Sequence, residues 1–72
     1  MQNLKVGQPV HVGWNAAKWC DERGSFTGRV EAVGYDWVVF RDNYGKAYSA
    51  VVPLTCQAEF LKEVTEPTDD ED

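Results

Sequence analysis

Few residues of this 72-residue chain could carry out catalysis. His11 is the single histidine, and Cys20 and Cys56 are 36 positions apart without the short paired spacings of a zinc site. Asp21 and Glu22 are adjacent carboxylates in a polar segment, where such side chains point apart into solvent. General acid–base or nucleophilic catalysis needs a base, an orienting partner and an enclosed pocket. The sequence therefore predicts no enzyme, no metal and no cofactor, with both cysteines as reduced structural thiols.

Aromatic side chains offer a different chemistry, the recognition of another molecule. The chain has three Trp, three Tyr and three Phe, and such rings bury large areas at protein contacts. A small domain also needs aromatic volume in its core, so we expect about half of the candidates to be buried. We expect Trp19 and Tyr44 to be exposed because they lie in predicted loops. The six candidates are Trp14, Trp19, Tyr35, Trp37, Tyr44 and Tyr48.

The charge is divided unevenly along the chain. Residues 1–62 have a net charge of +1, whereas residues 63–72 contain six acidic residues and no basic one. A self-repelling segment with few apolar residues cannot offset the entropy lost on ordering. We therefore expect one domain over residues 1–64 and a disordered acidic tail over residues 65–72. The tail either only solubilises the chain or competes for a basic surface, and its contact candidates are Asp69, Asp70, Glu71 and Asp72.

From the residues given, we expect neither a membrane-spanning segment nor an export signal. No apolar run approaches the roughly 18–20 residues that a bilayer-spanning helix needs, and residues 1–5 do not have the pattern of a signal peptide. We therefore expect a cytoplasmic protein that does not contact a membrane, either monomeric or dimeric.

Short alternating segments separated by turn residues predict an all-β fold of five strands. Val10, Val12 and Trp14 would share one face of the first strand. A long first loop followed by tight hairpins is typical of an SH3-like barrel, and residues 42–46 leave no room for the helix of the competing OB fold. Residues 58–64 would also fit a helical turn. The predicted strands are 10–14, 26–33, 37–41, 46–52 and 60–64, with a polar loop at 15–25 and a helical turn at 54–57.

Residues 10–56, about two thirds of the chain, resemble the Tudor branch of the SH3-like barrels. The first strand is rich in valine, a loop aromatic follows, and the second strand opens with an aromatic. A stand-alone chain of this size is also similar to small SH3-like proteins of bacteriophages and other mobile elements. The matching residues are Val10 and Val12, Trp14 or Trp19, Phe26 with Val30 and Val33, the sequence VVFRDNYG at 38–45, and VPL at 52–54.

Many Tudor domains hold methylated lysine or arginine in a cage of aromatic rings by cation–π attraction. The resemblance implies that the cage residues here would be Trp19 or Trp14, Phe26, Phe40 and Tyr44. Two residues depart from the family pattern: Asn43 is inserted before Tyr44, and Lys46 would repel a cationic ligand. We therefore expect the Tudor-like fold without recognition of a methylated ligand.

The first functional expectation is a module that binds a partner protein through exposed aromatics near the first long loop, and so modulates or inhibits a host protein. The alternative is single-stranded nucleic-acid binding on a face of arginines and rings, regulated by the acidic tail. Affinity for phosphates grows with the number of cations, and this chain has few cations that are clustered. We therefore favour binding of a partner protein over binding of a nucleic acid. The expected contact residues are Trp14, Trp19, Phe26, Phe40, Arg41 and Tyr44; the cations of the alternative are Arg23, Arg29, Arg41 and Lys46.

Overall fold

A computed structural model describes residue 1 and residues 4–67 of the chain. Its five strands form one antiparallel sheet in the order β4-β3-β2-β1-β5, and β4 and β5 do not pair with each other in this part of the chain. The fold is therefore strand-rich, as predicted, but hydrogen bonds do not close its sheet. The elements are β1 (Pro9–Val12), α1 (Trp14–Trp19), β2 (Phe26–Val33), β3 (Trp37–Asp42), β4 (Ala47–Val51), a 3-10 turn (Leu54–Cys56), α2 (Gln57–Lys62) and β5 (Val64–Thr65).

Alternation of side chains along the strands decides which face of the sheet forms the core. Val10 and Val12 of β1 and Val38 and Phe40 of β3 are completely buried, whereas the residues between them lie on the outer face. His11 follows this rule, because it is only half-buried and its Nδ1 lies 3.0 Å from the Thr27 hydroxyl oxygen. The inner face of the sheet is therefore built mainly from valines and phenylalanine rings.

The first helix is a correction to the sequence prediction. Trp14 does not extend β1 on the face of Val10 and Val12; it begins α1, in a segment that was expected to be a strand end and a loop. Gly13 ends the strand by approaching β5: its N–H donates to the Glu63 carbonyl oxygen at 2.6 Å. A Cβ on Gly13 would lie only 3.1 Å from that same oxygen.

The second helix also differs from the first prediction for its segment. Residues 60–62 of the strand expected over 60–64 belong to α2 (Gln57–Lys62), as in the alternative of a helical turn, whereas Val64 lies in the closing strand β5. Phe60 lies on the inner side of α2, fully buried, with its ring centroid 6.4 Å from that of Phe40. Thr65 pairs with His11 in β5, so the segment expected to be a tail begins within a strand. The candidates Asp69, Asp70, Glu71 and Asp72 lie outside the described residues.

The two helices cover the open side of the sheet. α1 packs against both β4 and α2, and α2 packs against β5, so the helices connect the two edge strands. Ala16 and Ala17 of α1 are completely buried, and their small side chains let the helix approach the core closely. None of the helices in the described part of the chain is long and apolar enough to cross a bilayer.

Candidate functional site

Two tryptophans on α1 keep large exposed surfaces. Trp14 is 55% exposed and Trp19 is 42% exposed, although the same helix buries Ala16 and Ala17 on its inner side. A helix of six residues has little stability of its own, so its packing against the core fixes where the two rings lie. We call the exposed side of α1 that carries Trp14, Lys18 and Trp19 the indole face; the two rings, five positions apart, lie at its two margins rather than in one row.

Trp14 is held by contacts on two sides of its ring. Its indole N–H donates to the Arg23 carbonyl oxygen at 2.9 Å, which connects α1 to the segment that leads into β2. The ammonium nitrogen of Lys18 lies 3.9 Å from the centre of the Trp14 ring, a cation–π contact along the helix. The ring therefore has a defined orientation while more than half of its surface remains open.

Trp19 forms one wall of a groove between α1 and α2. The groove has a volume of about 180 Å³. Ala16 and Phe60, which are buried in the core, belong to its lining, and Glu59 and Glu63 bring two carboxylates to it. Sequence reasoning missed the contribution of α2, because residues 60–64 were expected to be a strand. The spacing of Glu59 and Glu63, four positions apart, was the available sign of a shared helix face.

Two of the expected contact residues belong to the interior instead. Phe40 is completely buried, so its expected role at a partner surface is wrong. Phe26 is half-buried: its ring stacks on that of Tyr48 with centroids 4.0 Å apart and meets Phe40 edge-on at 5.9 Å. Because Phe40 is enclosed, the aromatic cage implied by the Tudor resemblance is not formed.

The exposed aromatics outnumber the buried ones, contrary to the expected even division. Of the six candidate rings, Tyr48 alone is buried, whereas the other five are exposed. Tyr44 is 95% exposed in the turn between β3 and β4, as expected for a loop residue. Valines, small alanines and the rings of Phe40, Phe60 and Tyr48 already fill this small core, which leaves the indoles and the other two phenols outside.

Tyr48 anchors a polar cluster below the β3–β4 turn. Its hydroxyl donates to Asp42 Oδ2 at 2.8 Å, and Asp42 Oδ1 accepts the backbone N–H groups of Tyr44 and Lys46. The hydrogen bond to the Asp42 carboxylate, together with burial, raises the pKa of Tyr48 to about 12. Burial raises the pKa of Asp42, but its hydrogen bonds from Lys46, Tyr48 and Tyr44 outweigh that effect and lower it overall.

Lys46 connects this cluster to the loop after α1. Its ammonium nitrogen lies 3.4 Å from Glu22 Oε2 and 5.1 Å from the centre of the Tyr48 ring. The backbone N–H of Arg23, and then Lys46, lower the pKa of Glu22. These contacts connect the loop after α1 to the β3–β4 turn. They also engage the ammonium group of Lys46 within the chain.

Arg41 lies on the outer face of β3, away from the indole face. Its guanidinium binds both carboxylate oxygens of Glu31 and also donates to the Gly45 carbonyl oxygen. The hydrogen bond and the charge of Glu31 raise the pKa of Arg41. Arg41 is therefore already paired within the chain.

The cysteines are free thiols in different surroundings. Cys20 is buried, and burial together with the nearby charge of Glu22 raises the pKa of its thiol to about 11. Cys56 is half-buried beside the Thr55 hydroxyl group. Across residue 1 and residues 4–67, no three His, Cys, Asp or Glu side chains converge in a way that could hold a metal ion.

The structure thus divides the expected contact residues among three places. Trp14 and Trp19 lie together on α1, Arg41 and Tyr44 lie near the β3–β4 turn, and Phe26 and Phe40 pack inside. No family model, curated protein or solved structure matches this chain. Function is therefore inferred from its own residues and contacts.

Proposed function

We propose that this protein is a non-enzymatic interaction module that binds a partner protein through the indole face and the groove between α1 and α2. The observation that carries the proposal is the exposure of Trp14 and Trp19 on a helix whose inner face is locked into the core. Rings on a rigid support lose little entropy on binding and bury much area, which is the profile of a binding hot spot.

We also propose that the sheet belongs to the SH3-like small barrels, with a Tudor-like arrangement of strands. The strand order, the tight turns between β2, β3 and β4, and the 3-10 turn before the last elements support this assignment. In this proposal α1 and α2 complete the barrel wall that hydrogen bonds leave open between β4 and β5.

The groove itself indicates the chemistry of the partner. Glu59 and Glu63 contribute carboxylates beside the Trp19 ring, and Lys62 is engaged with Glu59 at 3.6 Å. A partner segment with a basic residue next to an apolar one would complement this surface, because the cation gains carboxylate contacts and the apolar group packs on the indole. We propose that the partner is a host protein and that this binding modulates or inhibits it.

Three of the four cations that would serve nucleic-acid binding are already engaged within the chain. Arg41 binds Glu31, Lys46 binds Glu22, and Arg29 donates to the Gly7 carbonyl oxygen at 3.1 Å. Phosphate contacts would have to displace the carboxylates from Arg41 and Lys46, so the gain from those two cations is reduced. The contacts therefore favour the protein-binding proposal over the nucleic-acid alternative.

The proposal is tested by capture with matched variants. The wild-type chain, Trp19→Ala and Tyr35→Ala are used as bait in nuclease-treated lysate, and captured proteins are identified, purified and titrated. Tyr35 is an exposed aromatic that belongs neither to α1 nor to the lining of the groove, and it serves as the control. We expect Trp19→Ala to weaken binding by about tenfold or more and Tyr35→Ala to bind like the wild type, with melting temperatures within about 5 °C of each other.

Two results would overturn this proposal. If Trp19→Ala binds the purified partner as tightly as Tyr35→Ala does, the indole face is not the contact surface. If nuclease treatment abolishes capture and the purified chain binds single-stranded oligonucleotides in a salt-dependent way, the nucleic-acid alternative is correct.

A further inference from the structure

The Trp14 side chain is held by the loop after α1, and the contacts of that loop continue into the sheet. The Arg23 backbone lies between two side chains: its N–H donates to Glu22 Oε1 at 3.0 Å, and its carbonyl oxygen accepts the Trp14 indole N–H at 2.9 Å. A movement of the Glu22 carboxylate therefore moves the peptide that the indole binds. The orientation of Trp14 thus depends on how Glu22 is held.

Glu22 is held from its other side by Lys46. Its Oε2 lies 3.4 Å from the Lys46 ammonium nitrogen, while its Oε1 accepts the Arg23 N–H. The Arg23 N–H lowers the pKa of Glu22 most, and Lys46 and the Tyr48 hydroxyl lower it further against the effect of burial. Glu22 is therefore charged at neutral pH, and each of its carboxylate oxygens has its own partner. It connects the loop after α1 to the β3–β4 turn, 24 positions along the chain.

The backbone of Lys46 is a fixed anchor for this contact. Its N–H donates to Asp42 Oδ1 at 2.9 Å, and its carbonyl oxygen accepts the Asp42 N–H, also at 2.9 Å. Asp42 in turn accepts the hydroxyl of Tyr48, a buried residue whose ring stacks on that of Phe26. The ammonium group of Lys46 therefore extends from a backbone position that the core determines.

The carboxylate of this ion pair is better shielded than those of the other ion pairs among the described residues. The Glu22 side chain is 27% exposed, compared with 43% for Glu31 and 74% for Glu59 in their own pairs. Pairs of exposed charges contribute little to stability, because water screens them and their side chains lose entropy on pairing. The Lys46 side chain is largely exposed. We therefore expect this pair to position the loop rather than to stabilise the fold.

We propose that Glu22 is a positioning residue for the binding surface: together with Lys46, it fixes the Arg23 peptide that orients the Trp14 indole. The functional part of this inference rests on the interaction module proposed above, because a ring that is oriented before contact loses less entropy on binding. Neither charge has to touch the partner. Without the ion pair, the loop samples more positions and the indole hydrogen bond opens more often.

Substitutions in the free chain test the positioning of the indole. Glu22→Gln and Lys46→Met each remove one charge of the pair, and Lys46→Arg is the conservative variant that keeps the cation. Glu31→Gln, which makes the same change in the ion pair with Arg41, is the matched control. Nitrogen-15 NMR measures exchange of the Trp14 indole hydrogen with water, and circular dichroism with thermal unfolding confirms that each variant is folded.

We expect the Trp14 indole hydrogen to exchange about two- to fivefold faster in Glu22→Gln and Lys46→Met, the range of an exposed ion pair. Lys46→Arg and Glu31→Gln should exchange like the wild type. Binding to the purified partner then separates positioning from direct contact. The two neutralising variants remove charges of opposite sign, so direct charge contacts with a partner would change their affinities in opposite directions. Positioning predicts that both variants bind about two- to fivefold more weakly.

An unchanged rate of indole exchange in Glu22→Gln and Lys46→Met would overturn this inference without any partner. Affinities of these two variants that change in opposite directions, or that equal the affinity of Glu31→Gln, would also overturn it. The proposed function fails on a different result, which is undiminished binding by Trp19→Ala. The two failures are therefore distinguishable.

Discussion

The Tyr48 hydroxyl connects stability to pH through one hydrogen bond. Because its pKa rises from an ordinary value of 10.0 to about 12 in the folded chain, the unfolded chain loses this proton first as the pH rises. The contribution of Tyr48 is therefore complete below pH 10 and is lost as the pH approaches 12. Ionisation of the Tyr48 hydroxyl therefore lowers the stability of the fold at strongly alkaline pH.

Replacing Tyr48 by Phe tests this effect. We expect Tyr48→Phe to lower stability at neutral pH, and to remove part of the decline between pH 10 and 12. Urea unfolding at several values of pH measures both changes, and absorbance shows whether the phenol with a pKa of about 12 has disappeared. Tyr44→Phe, at a residue that is 95% exposed, is the control. The same alkaline decline in both variants would contradict the role given to Tyr48.

The residue types identified surface aromatics better than they identified the complete site. Trp19 and Tyr44 could be predicted to be exposed because the sequence around them is polar, although Trp19 lies at the end of α1 rather than in the predicted loop. The family resemblance led to the wrong expectation that Phe40 lies at the surface. The alternation of side chains along the strand indicates the correct orientation, because Arg41 must point outward and its neighbour Phe40 therefore points inward. Glu59 and Glu63 could not be placed at the groove without knowing that their segment is helical.

Among the elements, β2 could be predicted with its observed bounds, whereas α1 could not be predicted. Phe26–Val33 has a strong alternating pattern between two turns, which local sequence alone can indicate. Trp14–Trp19 has only six residues, too few for a helix that is stable alone. Burial of Ala16 and Ala17 against the core stabilises it, and contacts distant in sequence provide that burial.

The close approach of β2 and β3 leads to a prediction at Gly28. A Cβ added there would overlap the Arg41 carbonyl oxygen and would lie 2.8 Å from its carbon, so backbone rather than a flexible side chain would have to move. We expect Gly28→Ala to lower the free energy of unfolding by about 1–3 kcal/mol.

Gly24→Ala is the matched control for that substitution. Gly24 does not have a positive φ angle, and an added Cβ would meet nothing within 4 Å. We expect this variant to change stability by no more than about 0.5 kcal/mol. Denaturant unfolding compares the two, and equal stabilities would show that the strands can separate to accept a Cβ.

At the scale of the whole molecule, two short helices cover the side of the sheet that strand pairing leaves open between β4 and β5. Strand number and antiparallel pairing could be predicted from the sequence, because turn residues separate the alternating segments. The covering of the open side by the helices could not be predicted from the sequence, because it depends on the packing of Ala16, Ala17 and Phe60 against the core. Those residues have no distinctive local pattern, and their role emerges only once the sheet has formed.

The distribution of charge over the whole chain leads to a prediction about the acidic terminus. Glu59 and Glu63 lie at the groove, and the chain continues after them with mainly acidic residues. If the partner surface is basic, neutralising the terminus should weaken binding at low salt and have little effect at high salt. The variant changes Asp69, Asp70 and Asp72 to Asn and Glu71 to Gln, which preserves the length of the chain. Tighter binding after neutralisation would instead indicate that the terminus inhibits the site.

The most direct test of the interaction-module proposal is a chemical-shift map of the chain with its purified partner. Nitrogen-15 spectra resolve the three indole N–H groups and the backbone amides separately. We predict that the largest changes occur at the indoles of Trp14 and Trp19 and at the amides of α1 and α2, while the Trp37 indole changes little. Changes concentrated on the outer face of β2, β3 and β4, with the Trp14 and Trp19 indoles unmoved, would contradict the proposal.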